Sequence, residues 1–244
     1  VAVYGQGAAR PTSGVGAVAL LIGPNAKIVI DQPPTFHSTD IYDFYKANMA
    51  SEFPSVDGAL SIRSYLDALE QCYSSFKARH PLDYVCVHTP YVKLAIKAIH
   101  LLNQLNPNLS LSNVEPSLYL TKRNGNMYCA SIFAGLLSVL LSQTSFDDEK
   151  RILMFSYGSG ATAAMFSLRL LPDCDSVIDR QAILSMLDGR QKVTPSVFHH
   201  AIDQRSALFL GKSWIPKTTI AERQTNVWYL TAVDDLHRRF YAKF

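Results

Sequence analysis

Residues 84–91 read Tyr84-Val-Cys-Val-His-Thr-Pro-Tyr91, an apolar run that stops at a polar turn and leads into a helix-like segment. Short apolar runs bounded by turn residues are typical of buried strands. Thr89 and Pro90 favour a helix start, because a hydroxyl can cap the first turn and proline presets its φ. The stretch predicts a strand over residues 84–87, a helix to about residue 106, and His88 at the carboxyl end of the strand.

Two further junctions have a similar form. Residues 152–155 are apolar and run into Ser156-Tyr-Gly-Ser-Gly160, before a helix-like segment over residues 161–170. Asn124-Gly-Asn-Met-Tyr128 precedes a long apolar helix pattern over residues 127–143. Short buried strands that alternate with helices predict a layered α/β protein. Because ligands of such proteins bind at the carboxyl ends of strands, we expect His88, Asn126 and Ser159 to converge on one site.

The rest of the chain is punctuated by Gly, Pro and Asn. We expect strands at residues 1–4, 15–22 and 27–30, a loop-like aromatic-rich stretch at 31–54, helices at 60–77 and 194–208, and a hairpin formed by 227–233 and 237–242. The chain opens on a strand-like run without an initiator Met, so we expect it to begin inside a longer protein.

Composition excludes several classes of protein. With 244 residues, 48% hydrophobic and 18% charged, the chain can bury a sizeable core and is not disordered. A formal net charge of +3 is too small for a nucleic-acid footprint, although it suits an anionic small ligand. We expect no membrane span and no signal peptide. Four widely spaced cysteines in apolar stretches predict reduced thiols, with no disulfide and no metal site.

Each candidate residue has a plainer interpretation. His88 could be satisfied by a backbone carbonyl, and the two polar turns could be only turns. Lys93 and Lys97 lie four apart on one helix face, where they could hold phosphates or be solvated. The turn at 156–160 matches neither a phosphate-binding loop nor a nucleophile elbow. Asp43 places a carboxylate within an aromatic cluster.

Eight stretches, in order along the chain, carry a family resemblance. They are residues 9–25 (Ala-Arg-Pro-Thr-Ser-Gly-Val-Gly-Ala-Val-Ala-Leu-Leu-Ile-Gly-Pro-Asn), Tyr42-Asp-Phe-Tyr-Lys46, Val56-Asp-Gly-Ala-Leu-Ser-Ile62, His88-Thr-Pro-Tyr91, Asn124-Gly-Asn-Met-Tyr128, Phe155-Ser-Tyr-Gly-Ser-Gly160, Trp228-Tyr-Leu230 and His237-Arg-Arg239. Together they resemble the eukaryotic-type hydroxymethylglutaryl-CoA (HMG-CoA) synthases.

The resemblance implies a thiolase-like αβαβα fold and a homodimer. Residues 1–30 would be the last strands of the N-terminal half, and residues 31–244 the C-terminal half that binds acetoacetyl-CoA. The implied reaction condenses acetyl-CoA with acetoacetyl-CoA through an acyl-cysteine, as in the mevalonate route to isoprenoids and sterols, without a metal or redox cofactor.

The implied residue roles match this sequence position by position. His88 would anchor the acetoacetyl group, Lys93 and Lys97 would contact CoA, and Asp43 would support the site. The substrate-contacting positions from the resemblance are Thr12, Ser61, Asn126 and Ser159.

Some features depart from the family pattern. Ala8 stands where the family has Asn, and Ala47-Asn48 replaces a Pro-Asp pair. The family's nucleophilic cysteine and glutamate base belong to the N-terminal half, so we nominate none of the four cysteines. Alternatives are an inactive homologue acting as a scaffold, or another thiolase-fold condensing enzyme. The implied location is cytoplasmic, with the mitochondrial matrix as the alternative.

Overall fold

The computed structural model describes residues 2–5, 7–48, 51–210, 213–216 and 225–244. The chain divides into two compact units. The first contains Val1–Tyr45 and Ser55–Arg190, and the second contains Lys46–Pro54 and Gln191–Phe244.

A four-stranded mixed sheet forms the centre of the first unit. Its strands are β1 (Ile28–Ser38), β4 (Tyr84–Val87), β5 (Lys150–Gly158) and β6 (Thr162–Leu170). Their order in the sheet is β1-β6-β5-β4, with β4 parallel to β5 and the other pairs antiparallel. Side chains of successive residues point to opposite faces of a strand. The two inner strands, β6 and β5, therefore need apolar residues on both of their sides only when both faces of the sheet are covered.

Both faces are covered by helices. Helices α1 (Gly58–Phe76) and α2 (Val92–Leu105) share a hydrophobic cluster with Val85, Val87 and Phe155 on one face. Helix α5 (Ala130–Ser142) packs on the other face against Cys86 and Met154. Since each fully buried Leu or Phe side chain contributes about 1.5–3 kcal/mol, these two clusters hold the three layers together.

Shorter elements complete both units. In the first unit these are β2 (Phe44–Tyr45) paired with β3 (Ser55–Val56), and helices α3 (Leu111–Val114), α4 (Tyr119–Asn124) and α6 (Arg180–Asp188). The second unit contains α7 (Pro195–Leu210) and a hairpin of β7 (Trp228–Val233) with β8 (Arg239–Lys243). The described part of the chain has no helix that is both long and apolar enough to cross a membrane.

The helix predicted at residues 161–170 is wrong, because this segment is strand β6. It pairs on one side with β5 and on the other with β1. Its burial alternates at Ala163 and Met165, the period of a strand. Backbone partners on both sides outweigh the helical preference of the Ala, Met and Leu residues in this segment.

Four other expectations also need correction. Residues 15–22 form no strand, and Leu21 and Ile22 are fully or almost fully exposed. Strand β1 continues to Ser38, into the stretch predicted as a loop. The first predicted strand shows only a single bridge between Ala2 and Gly14, and Val1 lies outside the described residues. The hydroxyl of Thr89 does not cap α2, because it donates to the carbonyl of Val87 at 2.7 Å.

Candidate active site

A cavity of about 870 Å³ opens within the first unit, at the carboxyl ends of β4 and β5. Six residues predicted from the sequence line it: Thr12, Ser61, His88, Lys93, Asn126 and Ser159. Lys97 lies one turn beyond Lys93 on the exposed side of α2, outside the lining, and Asp43 lies behind the cavity wall. The structure therefore brings together an imidazole, a carboxamide and a hydroxyl that are distant in sequence.

His88 sits where β4 ends and the turn to α2 begins. Its backbone is fixed on both sides, since its N–H donates to the carbonyl of Phe155 at 2.7 Å and its carbonyl accepts from the hydroxyl of Tyr65 at 2.9 Å. The imidazole makes no hydrogen bond with the described residues. Burial lowers the pKa of His88 from 6.5 to about 4, so at neutral pH the ring is uncharged. A neutral imidazole offers one N–H donor and one acceptor to a ligand.

Asn126 is held in a buried turn before α5, and the residue is only 3% exposed. Its N–H donates to the carbonyl of Thr12 at 2.9 Å, which ties the turn to the segment after Arg10. Gly14 is needed at this crossing, because a Cβ there would lie 2.3 Å from the carbonyl oxygen of Asn124. Gly125 has φ +72°, a conformation that favours glycine. The turn is therefore rigid, with its carboxamide on the cavity wall.

Ser159 lies in the turn between β5 and β6, a hairpin turn and not the strand-to-helix turn that was predicted. The carboxylate of Asp43, fully buried, accepts from the N–H of Gly160 at 3.1 Å and from the hydroxyl of Tyr157 at 3.2 Å. The hydroxyls of Tyr157 and Ser64 are 2.9 Å apart. Burial raises the pKa of Tyr157 to about 12, so it stays protonated. Asp43 thus anchors the turn that presents Ser159, without reaching the cavity itself.

The remaining predicted residues occupy the first turns of helices and loops. Ser61 lies near the start of α1, whose first turn is capped by the carboxylate of Asp57 accepting from the N–H of Leu60 at 3.0 Å. The hydroxyl of Thr12 is already used, because it donates to the carbonyl of Ala9 at 2.6 Å. Lys93 is exposed in the first turn of α2, where its ammonium can reach an anionic group at the edge of the cavity.

Sequence reasoning missed several cavity residues that carry reactive or polar groups, among them Cys129 and Tyr4. Cys129 is exposed and lines the cavity, whereas Cys72, Cys86 and Cys174 are buried. Tyr4 also lines it, from the segment expected to be only a strand. The available signal for Cys129 was its position three residues after Asn126. Among the described residues no cluster of three or more His, Cys, Asp or Glu could hold a metal ion.

The fold is that of a thiolase-like α/β protein, and the comparisons with known proteins narrow the assignment to one family. The model described as "Hydroxymethylglutaryl-coenzyme A synthase C terminal" matches residues 28–110 and 101–244, and the corresponding N-terminal model matches residues 1–27. The chain belongs to the hydroxymethylglutaryl-CoA synthase family.

Relatives of known identity agree with this assignment. The chain is 32% identical to a hydroxymethylglutaryl-CoA synthase of Zymoseptoria tritici, over 99% of the chain and 66% of the relative. It is 33% identical to the mitochondrial enzyme of Rattus norvegicus, over 100% and 61%. The cytoplasmic enzyme of Homo sapiens is 33% identical, over 100% and 59%. The chain thus spans about three fifths of the length of the curated relatives it matches, and these include both cytoplasmic and mitochondrial proteins.

Solved structures share the fold. A structure described as "MvaS in complex with 3-hydroxy-3-methylglutaryl coenzyme A" superposes with a TM-score of 0.81 at 24% identity, over 99% of this chain and 65% of that one. An HMG-CoA synthase complexed with CoA gives a TM-score of 0.68 at 26% identity, over 89% and 57%. The thiolase-like α/β fold predicted from the resemblance is confirmed.

Proposed function

We propose that this chain carries the acetoacetyl-CoA-binding part of an HMG-CoA synthase, which condenses acetyl-CoA with acetoacetyl-CoA to give HMG-CoA and free CoA. The observation that carries the proposal is the convergence of His88, Asn126 and Ser159 on one cavity with Lys93 at its edge. Two similar solved structures are described as complexes with CoA and with 3-hydroxy-3-methylglutaryl coenzyme A, which are ligands of the same class.

In this proposal His88 binds the acceptor. Because its ring is neutral at pH 7, it donates an N–H to a carbonyl oxygen of the acetoacetyl group without placing a second cation in the cavity. As the acetyl carbanion attacks that carbonyl, negative charge grows on its oxygen and the hydrogen bond strengthens. Asn126 and the hydroxyl of Ser159 hold the thioester end of the substrate.

The CoA moiety lies along α2. Lys93 and Lys97, four residues apart on the exposed face, attract its phosphates, and Lys93 is the nearer of the two to the cavity. These contacts are solvent-exposed, so CoA binding weakens as salt is added. No cofactor beyond the CoA thioesters takes part, since fixed donors and covalent catalysis suffice.

The nucleophilic cysteine and the glutamate base come from the N-terminal half of the enzyme, to whose end residues 1–30 belong, with the C-terminal half at 31–244. In support, residues 15–23 form neither helix nor strand, are apolar and mostly exposed, and make no main-chain hydrogen bond with the described residues. Such a segment can add to another sheet. The complete enzyme acts as a homodimer in the cytoplasm, the mitochondrial matrix being the alternative location.

Cys129 provides a direct assay of the cavity. It is the one exposed cysteine of the four, so N-ethylmaleimide should label it selectively, and acetoacetyl-CoA in the cavity should slow that labelling. Mass spectrometry follows the adduct, and Cys129→Ser is the control that should take up almost none. Labelling at an unchanged rate in saturating acetoacetyl-CoA would contradict the proposal.

Two variants assign the parts of the ligand. His88→Ala should weaken protection by acetoacetyl-CoA far more than protection by free CoA, because only the former has an acceptor carbonyl. Lys93→Ala should weaken protection by both, whereas Lys27→Ala, an exposed lysine outside the lining, should change neither. A chain joined to a family N-terminal half should then form HMG-CoA, and a joined chain that binds both thioesters without product would favour the scaffold alternative.

A further inference from the structure

Tyr4 is a buried phenol on the cavity wall, and the roles proposed above do not use it. The residue is 6% exposed, and its ring stands edge-on to that of Phe44, with ring centroids 6.2 Å apart at 88°. Two residues earlier, Ala2 and Gly14 exchange hydrogen bonds at 2.8 and 3.0 Å. The ring is therefore fixed in place by the main chain on one side and by an aromatic contact on the other.

The hydrogen bonds of Asn126 determine what the hydroxyl of Tyr4 can do. Oδ1 of Asn126 accepts from the backbone N–H of Tyr128 at 2.8 Å, and a backbone N–H can only donate. The amide is therefore oriented with Nδ2 towards Tyr4, and Nδ2 donates to the phenolic oxygen at 2.8 Å. Tyr4 accepts from the amide, so its own proton is left over.

That proton has no acceptor among the described residues, although both Tyr4 and Asn126 line the cavity. A buried hydroxyl with an unused donor is costly unless a ligand accepts from it. An amide that donates to the phenolic oxygen also polarises its O–H bond, which makes the phenol a better donor. We call this arrangement the relay: Asn126 donates to the hydroxyl of Tyr4, which thereby becomes a stronger donor.

Resting on the proposed function, we infer that Tyr4 donates a hydrogen bond to an oxygen of the acyl group of the bound thioester, and that Asn126 acts in part by orienting and polarising this phenol. Tyr4 then joins His88 as a further donor to the acyl group. Free CoA has no acyl oxygen, so Tyr4 contributes to binding the thioester and not to binding CoA.

The test compares the affinities of the full chain for acetoacetyl-CoA and for free CoA, both measured by calorimetry. Tyr4→Phe keeps the ring and its contact with Phe44 but removes the donor. We expect it to bind acetoacetyl-CoA about tenfold more weakly and free CoA as tightly as the wild type does. Tyr42→Phe, at an exposed tyrosine outside the lining, is the control and should change neither affinity.

A second variant tests the relay. Asn126→Asp replaces the donor Nδ2 by an oxygen that accepts the proton of Tyr4, so it should lower the affinity for acetoacetyl-CoA while leaving the ring of Tyr4 unchanged. Adding Tyr4→Phe to Asn126→Asp should then cause little further loss of affinity, because each change removes the same donor, the hydroxyl of Tyr4.

The outcomes separate this inference from the proposed function. Equal affinities of wild type and Tyr4→Phe for acetoacetyl-CoA would overturn the role of Tyr4 and leave the proposed function standing. Loss of both acetoacetyl-CoA and CoA binding in Tyr4→Phe would show that Tyr4 only supports the fold of the cavity wall. This result would also overturn the role of Tyr4. A wild-type chain that binds neither ligand overturns the proposed function and this inference together.

Discussion

Replacing His88 by glutamine should make the unfolding free energy of the chain less sensitive to acid. Burial lowers the pKa of His88 to about 4, against 6.5 for a histidine in an unfolded chain. Each unit of difference between the pKa values in the folded and unfolded states corresponds to about 1.36 kcal/mol of unfolding free energy. The shift of His88 therefore amounts to about 3 kcal/mol.

The sign follows from proton binding. Between pH 6.5 and 4 the unfolded state carries a proton on His88 and the folded state does not, so acid favours unfolding. Above pH 6.5 the ring of His88 is neutral in both states, and the folded protein keeps its full unfolding free energy. As the pH falls from 6.5 towards 4, this unfolding free energy decreases progressively. Relative to His88→Gln, the wild type should therefore lose about 3 kcal/mol between pH 7 and pH 4.

Urea denaturation of the wild type and of His88→Gln at several pH values measures this difference in unfolding free energy. The titration of every group that the two proteins share cancels in the difference. His100→Gln is the matched control, because His100 lies exposed on α2, the helix that follows His88, and it supplies the baseline for removing a histidine. NMR of the ring proton provides an independent check. A stability difference that does not vary with pH, or a ring of His88 that titrates near 6.5 in the folded protein, would refute the reasoning.

Three other substitutions test the packing around the site. Gly135→Ala should cost about 1–3 kcal/mol of stability in urea denaturation, because the new Cβ would lie 2.3 Å from the Sγ of Cys86. Cys86→Ala in the same chain should recover part of the loss, and a double variant no more stable than Gly135→Ala would contradict this. Gly14→Ala should abolish protection of the cavity thiol by acetoacetyl-CoA, since its Cβ would meet the backbone of Asn126 at 2.5 and 2.6 Å; unchanged protection would refute the claim. Tyr157→Phe should cost about 1–3 kcal/mol by removing a donor to buried Asp43, and a neutral result would show that this hydrogen bond contributes nothing.

The predicted elements that the structure confirms are those with a strong local pattern. Helix α1 has apolar residues at helical spacing over five turns, and β4 and β5 are short apolar runs with breakers on either side. The error at β6 has a physical cause, because Ala, Met and Leu fit a helix as well as a strand. Only its pairing with β1 and β5, remote in sequence, decides between them.

The site divides in the same way. His88, Asn126 and Ser159 could be predicted because each follows or precedes a recognisable element at a turn. Tyr4 could not be predicted, since its importance depends on a hydrogen bond to a residue 122 positions away. The exposure of Cys129 likewise depends on where the turn before α5 is placed by the segment that ends at Gly14. Their roles, like those of the predicted residues, await the experiments above.

Residues 15–23 also govern how the isolated chain behaves in solution. Leu21 and Ile22 are open to water, and their peptide groups make no main-chain hydrogen bond within the part of the chain that the structure describes. An exposed apolar segment with unpaired peptide groups can pair with the same segment of another copy, so the purified chain should self-associate as its concentration rises. Light scattering across a dilution series would reveal this, and a charged residue in place of Leu21 should keep the preparation monomeric for calorimetry and NMR.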